Sequence, residues 1–179
     1  MPLEPNHNAD PAAVHTAAPA TPTEPRLSPA AQAILATARA RNVNDSMRYA
    51  GAVTPDETHA LMQEAGVKVI DVRSRAEWVW VGRIPGSILV PWSHFTDGGL
   101  VRNPHFVDEL KAVAAPGDVL LMLCRSAKRS KPASETAVAA GFAHAFDVLE
   151  GFEGDPDAEG RRNTVEGWRF RGLPWRLEM

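Results

Sequence analysis

The side chain best suited to chemistry is that of Cys124, the single cysteine of this 179-residue chain. It follows residues 119–123, a continuous aliphatic run that is typical of an interior strand in a parallel sheet. A mostly polar loop comes next and leads into a helix-forming segment, so backbone N–H groups can be directed at the sulfur. Arg125, Lys128 and Arg129 add positive charge that favours the thiolate. The sequence therefore predicts a reactive thiolate rather than an inert cysteine, since such a loop can scarcely be buried.

The elements that must position this loop alternate between helices and strands. Ser28-Pro29 is a helix start, and Thr54 with Glu57 has the spacing of a capping box. Helices are predicted over residues 28–41, 54–65, 103–113 and 130–140. Strands are predicted over residues 67–72, 87–90, 119–123 and 145–149, with residues 42–52 as a connector. Strands separated by helices pair in parallel through right-handed crossovers, so the pattern indicates an α/β fold.

The loop Cys-Arg-Ser-Ala-Lys-Arg-Ser resembles the active-site loop of rhodanese-type sulfurtransferases, and other segments agree in order and spacing. The first is residues 69–73 with Glu77-Trp78, and the second is Gly-Arg-Ile-Pro-Gly-Ser at 82–87, which resembles a conserved family segment called here the family box. The others are the glycine-rich turn at 151–154 and the C-terminal segment at 167–168 and 172–175. Two positions depart from the family pattern, Arg83 for the usual His and Ser87 for the usual Ala. The resemblance covers residues 48–176 and implies a three-layer rhodanese-like domain. That domain has a central, mostly parallel five-stranded sheet with helices on both faces.

Sulfane sulfur transfer is the chemistry that both the loop and the resemblance indicate. We expect the Cys124 thiolate to attack the outer sulfur of thiosulfate, expel sulfite and become a persulfide, from which cyanide or a thiol then removes the sulfur. The residues expected to bind the donor and the persulfide are Arg125, Ser126, Ala127, Lys128, Arg129 and Ser130. Their cations hold the dianionic donor, and their backbone N–H groups cradle the persulfide. Within the family, basic loops accompany thiosulfate, and no metal or organic cofactor is required.

Three further residues are expected to support the site from outside the loop. Asp71 and Arg73 lie at the carboxyl end of a predicted strand, where α/β proteins place ligand sites. The resemblance favours a role in holding the loop, and the alternative is an ion pair on the surface. Glu77 follows closely and is a candidate for orienting the site.

Two other functions fit a cysteine loop on this fold. A cysteine phosphatase needs an arginine after five intervening residues, whereas Arg129 follows Cys124 after four. It also needs an acid for the leaving group, and the sequence singles none out. A binding module that only carries sulfur is the second alternative, and the intact Cys124 argues against it.

Composition limits the partners and the compartment. The net charge of −3 provides no general basic surface for nucleic acid, and no run of 18 apolar residues predicts a membrane span. A lone reduced thiol suits a cytoplasmic protein. The expected partners are a small anionic donor, a thiol or cyanide acceptor, and a sulfur-accepting protein as a further candidate. The expected divisions are a disordered tail at 1–27, a helix and connector at 28–47, and the domain at 48–179.

Overall fold

The computed structural model describes residues 23–177 of the chain. The helices are α1 (Pro29–Ala40), α2 (Pro55–Leu61), α3 (Arg75–Trp80), α4 (Phe106–Val113) and α5 (Ser130–Ala139), with a 3₁₀ turn at Val43–Asp45. The strands are β1 (Gly51–Val53), β2 (Val67–Asp71), β3 (Ile88–Leu89), β4 (Ser93–Thr96), β5 (Gly99–Arg102), β6 (Val119–Leu123) and β7 (Ala145–Val148). Within this range, no helix has the length and apolar character of a membrane span.

Five of the strands form one sheet in the order β1-β7-β6-β2-β3, and every pairing in it is parallel. Strand β6 is central and buried along its whole length, as its continuous aliphatic sequence predicts. The three-layer α/β architecture expected from the resemblance is therefore confirmed. Strands β4 and β5 form a separate antiparallel hairpin.

The alternation of side chains along the strands divides the core into two clusters, one on each face of the sheet. Leu121 and Phe146 pack on one face with Leu35 of α1, Leu61 of α2 and the C-terminal Trp168. The opposite face carries a second cluster from the sheet and from α4 and α5: Ile70, Leu120, Met122, Phe106, Leu110, Ala133 and Ala137. Cys124 belongs to this second cluster, so the sulfur lies on the α5 side.

The starts of α1 and α2 follow the sequence closely because side-chain caps act locally. The Ser28 hydroxyl accepts from Ala31 N–H at the start of α1, and Thr54 and Glu57 form the predicted capping box of α2. Helix α4 begins at Phe106 rather than at the predicted residue 103, and no side chain caps its start. The end of α2 differs from the prediction, since the helix stops at Leu61 and a turn carries the chain to Gly66. Strand β1, helix α3 and the β4–β5 hairpin were not predicted, because each is too short for a clear period.

The predicted tail boundary at residue 27 is wrong for residues 23–27. Leu27 is buried in the core cluster beside α1, and its carbonyl accepts a hydrogen bond from the Gln32 side chain at 3.0 Å. Glu24 forms an ion pair with Arg39. This short segment is anchored because one apolar and one charged side chain both find partners on the domain. Residues 1–22 of the predicted tail lie outside the described residues.

The predicted division between residues 28–47 and the domain is also not a structural boundary. Leu35 and Ala38 of α1 are buried in the same core as the sheet, and α1 packs against β1. Strand β1 pairs with β7 at the edge of the sheet. Helix α1 is therefore part of the domain, because its apolar stripe covers one sheet face.

Candidate active site

Cys124 lies immediately beyond the carboxyl end of β6 and is almost fully buried, with 1% of its surface exposed. The Arg129 N–H donates to its Sγ at 3.4 Å, and the Ser130 Oγ lies 3.3 Å from the same sulfur. The loop therefore curls around the sulfur and presents donors at the start of α5. Of the loop N–H groups expected to surround the sulfur, that of Arg129 makes this contact. The sequence argument that such a loop can scarcely be buried holds for Arg125 and Lys128, which are exposed, but not for Cys124, Ala127 and Ser130, which are buried.

Backbone contacts fix the shape of the loop. Ala127 has φ 55°, a left-handed conformation that is unfavourable for a residue with a side chain, so the surrounding contacts must hold it. The carbonyl of Cys124 accepts from Phe152 N–H at 2.8 Å, and that of Arg125 accepts from Glu153 N–H at 3.0 Å. Both donors belong to the glycine-rich turn. At Gly151, where φ is 73°, a Cβ atom would lie 2.6 Å from the Arg125 carbonyl, so only glycine allows this close approach.

Arg129 does not extend toward solvent, because its guanidinium group is held by Glu77. The two side chains form a bidentate ion pair, with N–O distances of 2.8 and 2.6 Å, and Arg129 is 17% exposed. Burial alone would raise the pKa of Glu77, but the hydrogen bonds and charge of Arg129 lower it to about 2. Burial also lowers the pKa of Arg129, and Glu77 more than offsets this, so its pKa is raised. The ion pair with Arg129 is a direct contact through which Glu77 can orient the loop, as predicted for it.

The other two cations of the loop are exposed. Lys128 forms a surface ion pair with Asp155 at 3.1 Å, in which both side chains are at least half exposed. Beside them a groove of about 610 Å³ is lined by polar and charged groups that include Ser126, Lys128, Lys131, Glu150 and Asp155. Arg125 is exposed on the same loop. An exposed pair contributes little free energy, so Lys128 can exchange Asp155 for an incoming anion.

Asp71 and Arg73 form a fully buried pair rather than the surface pair considered as the alternative. Two nitrogens of Arg73 donate to the Asp71 carboxylate, and Nη2 also donates to the Gly82 carbonyl at 2.7 Å. The guanidinium group lies over the Phe152 ring, 4.1 Å from its centroid. Since Phe152 N–H donates to the Cys124 carbonyl, this pair lies beneath the turn that supports the loop.

One buried acid near the loop was missed in the sequence. Asp147 lies in the middle of β7, is fully buried, and has neither carboxylate oxygen in a hydrogen bond within residues 23–177. Burial is the main influence on its pKa, which is raised to about 6. The available signal was a single carboxylate inside an apolar strand, since a buried Asp without a partner is rare.

The two positions that depart from the family box, Arg83 and Ser87, both make local contacts. The Arg83 backbone forms a two-way bridge with Arg176, with N–O distances of 2.8 and 2.9 Å, which ties the box to the C-terminal segment. The Ser87 hydroxyl donates to the Ile84 carbonyl at 2.7 Å and closes the turn of the box. Among residues 23–177, no group of three or more His, Cys, Asp or Glu side chains is arranged to hold a metal ion.

A model of the rhodanese-like domain matches residues 54–155, more than half of the chain. The chain belongs to the rhodanese-like family. A solved structure, Rv0390 from M. tuberculosis, is 38% identical, covers 73% of this chain and 99% of its own, and superposes with a TM-score of 0.64. This solved structure therefore supports the rhodanese-like fold of the chain.

Curated relatives of this rhodanese-like chain include proteins with sulfurtransferase names. Thiosulfate sulfurtransferase 16 of Arabidopsis thaliana is 28% identical over 130 residues, which cover 73% of this chain and 96% of the relative. Thiosulfate sulfurtransferase/rhodanese-like domain-containing protein 3 of Mus musculus is 35% identical over 103 residues, 56% of this chain and 65% of the relative. Senescence-associated protein DIN1 of Raphanus sativus is 31% identical over 91 residues, and the chain spans 49% of that protein.

Proposed function

We propose that this rhodanese-like protein is a thiosulfate sulfurtransferase that works through a persulfide on Cys124. The observation that carries the proposal is the position of the sulfur at the centre of a curled loop. There it receives a hydrogen bond from Arg129 N–H and contacts the Ser130 hydroxyl. These groups can stabilise a negative charge on sulfur before and after transfer. The sulfurtransferase names of the Arabidopsis and mouse relatives support the same reaction class.

The reaction consists of two displacements at sulfur. The Cys124 thiolate attacks the sulfane sulfur of thiosulfate, a new S–S bond forms, and the old S–S bond breaks with its electron pair leaving on sulfite. In the second step cyanide or a thiolate attacks the outer sulfur of the persulfide. This forms thiocyanate or a new persulfide and returns the Cys124 thiolate. The two steps together need no added oxidant, reductant or cofactor.

The cations of the loop divide into two roles in this proposal. Lys128 lines the groove and Arg125 is exposed on the same loop, and both attract the dianionic donor. Arg129 is engaged by Glu77 and acts mainly by holding its own N–H on the sulfur. The sequence had assigned all three cations to the donor, and the contact with Glu77 is the reason to separate Arg129 from the other two.

The deciding experiment compares the wild type with Cys124→Ser in the thiosulfate:cyanide assay. We expect thiocyanate formation to be lost in the variant while thermal unfolding stays close to that of the wild type, since the two side chains are similar in size. After thiosulfate treatment, mass spectrometry of the wild type should show one added sulfur, about 32 Da, on the peptide that contains Cys124, as covalent catalysis requires. Substantial turnover by the variant would rule out this mechanism.

The same samples separate the alternative functions. A sulfur carrier without turnover would acquire the added sulfur but form no thiocyanate above the Cys124→Ser background. A cysteine phosphatase would hydrolyse an aryl phosphate faster than it forms thiocyanate. Loading without turnover, or faster phosphate hydrolysis, would contradict the proposed activity.

A further inference from the structure

Asp155 is an acid that faces the Cys124 loop and that the proposed reaction does not yet use. Its Oδ1 lies 3.1 Å from Lys128 Nζ, and both residues line the groove of about 610 Å³ beside the loop. In the proposed reaction, Lys128 is one of the two exposed cations that attract the dianionic donor. The carboxylate of Asp155 and the incoming donor therefore compete for the same ammonium group.

Backbone contacts fix the position of Asp155 relative to the Cys124 loop. Its N–H donates to the Glu166 carboxylate at 3.1 Å, and the N–H of Gly154 donates to the Arg125 carbonyl at 3.1 Å. At Gly154, where φ is 74°, a Cβ atom would lie 2.2 Å from the Glu166 carbonyl oxygen, so only glycine allows this close approach. Asp155 is therefore anchored on both sides, and its carboxylate stays beside the loop.

The Lys128 side chain is the partner that can move. It is 75% exposed, and its ammonium group is carried on a flexible four-carbon stem. The Asp155 oxygen that it contacts is shielded from solvent and makes no hydrogen bond of good geometry among residues 23–177. The pair is therefore held mainly by charge, and an exposed pair of this kind contributes little free energy. An anion that enters the groove can take the place of the carboxylate.

Two other acids of the groove are engaged elsewhere. Glu150 is bound by Arg171, two of whose nitrogens donate to its carboxylate. Glu166 accepts the backbone N–H of Asp155, and this bond does not depend on the Asp155 side chain. Neutralising the Asp155 side chain therefore frees Lys128 and leaves these two acids in their present contacts.

We propose that Asp155 is a specificity-determining residue that disfavours dianionic sulfur donors by competing with them for Lys128. A donor with two negative charges gains more from a free ammonium group than a donor with one, because the attraction grows with the product of the charges. Neutralising the acid should therefore favour thiosulfate over a thiosulfonate, a monoanion in which an alkyl group replaces one oxygen of thiosulfate. The selectivity in turnover rests on the proposed sulfurtransferase function, whereas the competition for Lys128 does not.

The enzymatic test measures kcat/KM for thiosulfate and for methanethiosulfonate in the wild type and in Asp155→Asn. Both donors pass their outer sulfur to the Cys124 thiolate, and the electron pair of the broken S–S bond leaves on sulfite or on methanesulfinate. Effects on the thiol itself therefore cancel in the ratio of the two values. We expect kcat/KM for thiosulfate to rise about 1.5–5-fold, the range that one exposed ion pair contributes, and that for methanethiosulfonate to rise less. No rise, or an equal rise for both donors, would overturn the proposal.

Two further variants control for the change in net charge. Glu159→Gln also removes one negative charge from this part of the chain, but Glu159 is paired with Arg161 rather than with the loop. It should leave both kcat/KM values unchanged. In a Lys128→Ala background, Asp155→Asn should no longer alter the ratio. An undiminished effect in that background would show that Asp155 does not act through Lys128 and would refute the proposal.

A second test needs no turnover. Inorganic sulfate, an unreactive dianion, is titrated into the resting protein while the backbone amide signals of residues 125–130 are followed by NMR. We expect Asp155→Asn to lower the dissociation constant for sulfate about 1.5–5-fold and Lys128→Ala to raise it. Equal constants in the wild type and Asp155→Asn, or no response of the loop to sulfate, would refute the competition even if sulfur transfer is confirmed. Tighter binding in Asp155→Asn would support the competition even if thiosulfate proves not to be the donor.

Discussion

Helices α2 and α3 begin with the same local device, yet they serve different parts of the molecule. Thr54 and Glu57 form the capping box of α2, and Ser74 and Glu77 form that of α3. In both cases the glutamate also holds an arginine through two hydrogen bonds. Glu57 binds Arg41 with both N–O distances at 2.7 Å, and Glu77 binds Arg129 with distances of 2.8 and 2.6 Å.

The difference lies in where each arginine comes from. Arg41 is the C-cap residue of α1, so its pair joins two helices, whereas Arg129 belongs to the loop around Cys124. The Arg129 pair is also the more buried, and the pKa of Glu77 is lowered to about 2. The same short motif therefore joins two helices in one place and holds the loop around Cys124 in the other. The two capping boxes differ in the arginine that each glutamate binds, which is Arg41 for Glu57 and Arg129 for Glu77.

The largest expected effect comes from removing each arginine in turn. Arg129→Ala leaves the Glu77 carboxylate unpaired near the sulfur and loosens the N–H that contacts it, so kcat/KM for thiosulfate should fall about 10–1000-fold. Arg41→Ala breaks an equivalent pair far from the loop and should keep kcat/KM within about twofold, although it lowers stability. Equal losses of activity in the two variants would show that the Arg129 pair has no special role in the site.

A smaller effect is expected from neutralising the two glutamates. Glu77→Gln and Glu57→Gln preserve the capping boxes but remove the charge. Because folding lowers the pKa of Glu77, its contribution to stability is full above its unfolded value, near 4.5, and is lost as the pH falls toward about 2. Urea unfolding between pH 2 and 7 should therefore show wild-type stability falling by about 2–3 kcal/mol more than that of Glu77→Gln.

The Glu57 variant is the control for this acid effect. The pKa of Glu57 is also lowered, but this carboxylate is the more exposed of the two. Glu57→Gln should therefore retain most of the wild-type pH dependence. If Glu57→Gln loses more of the pH dependence of stability than Glu77→Gln does, the Glu57 pair and not the Glu77 pair makes the larger charge contribution to folding.

The smallest effects should come from the caps themselves. Ser74→Ala and Thr54→Ala each remove one hydroxyl that accepts from the N3 backbone, so each should lower the free energy of unfolding by about 1 kcal/mol. Ser74 also donates to Glu77 at 2.8 Å, so its loss should reduce thiosulfate turnover as well. Thr54→Ala should leave turnover unchanged, and a matched loss in both variants would mean that the α3 cap is not coupled to the loop.

Several elements were predictable from the sequence because their causes are local. Residues 119–123 form β6 as predicted, since a continuous aliphatic run suits a strand buried on both faces. The capping box at Thr54 formed at the predicted residue for the same reason. Strand β1 escaped prediction because three residues are stable as a strand only through pairing with β7.

Local sequence also fixed the most important feature of the candidate site. The aliphatic run and the polar, cationic residues that follow it determined that the lone Cys124 would lie between a strand and a helix. Tertiary structure alone decided what surrounds that thiol. Glu77 lies 52 residues before the Arg129 that it holds, and Asp147 approaches the site only because β7 pairs with β6. Charge and hydrogen-bond partners across such separations depend on the packing of the sheet, and local sequence does not encode them.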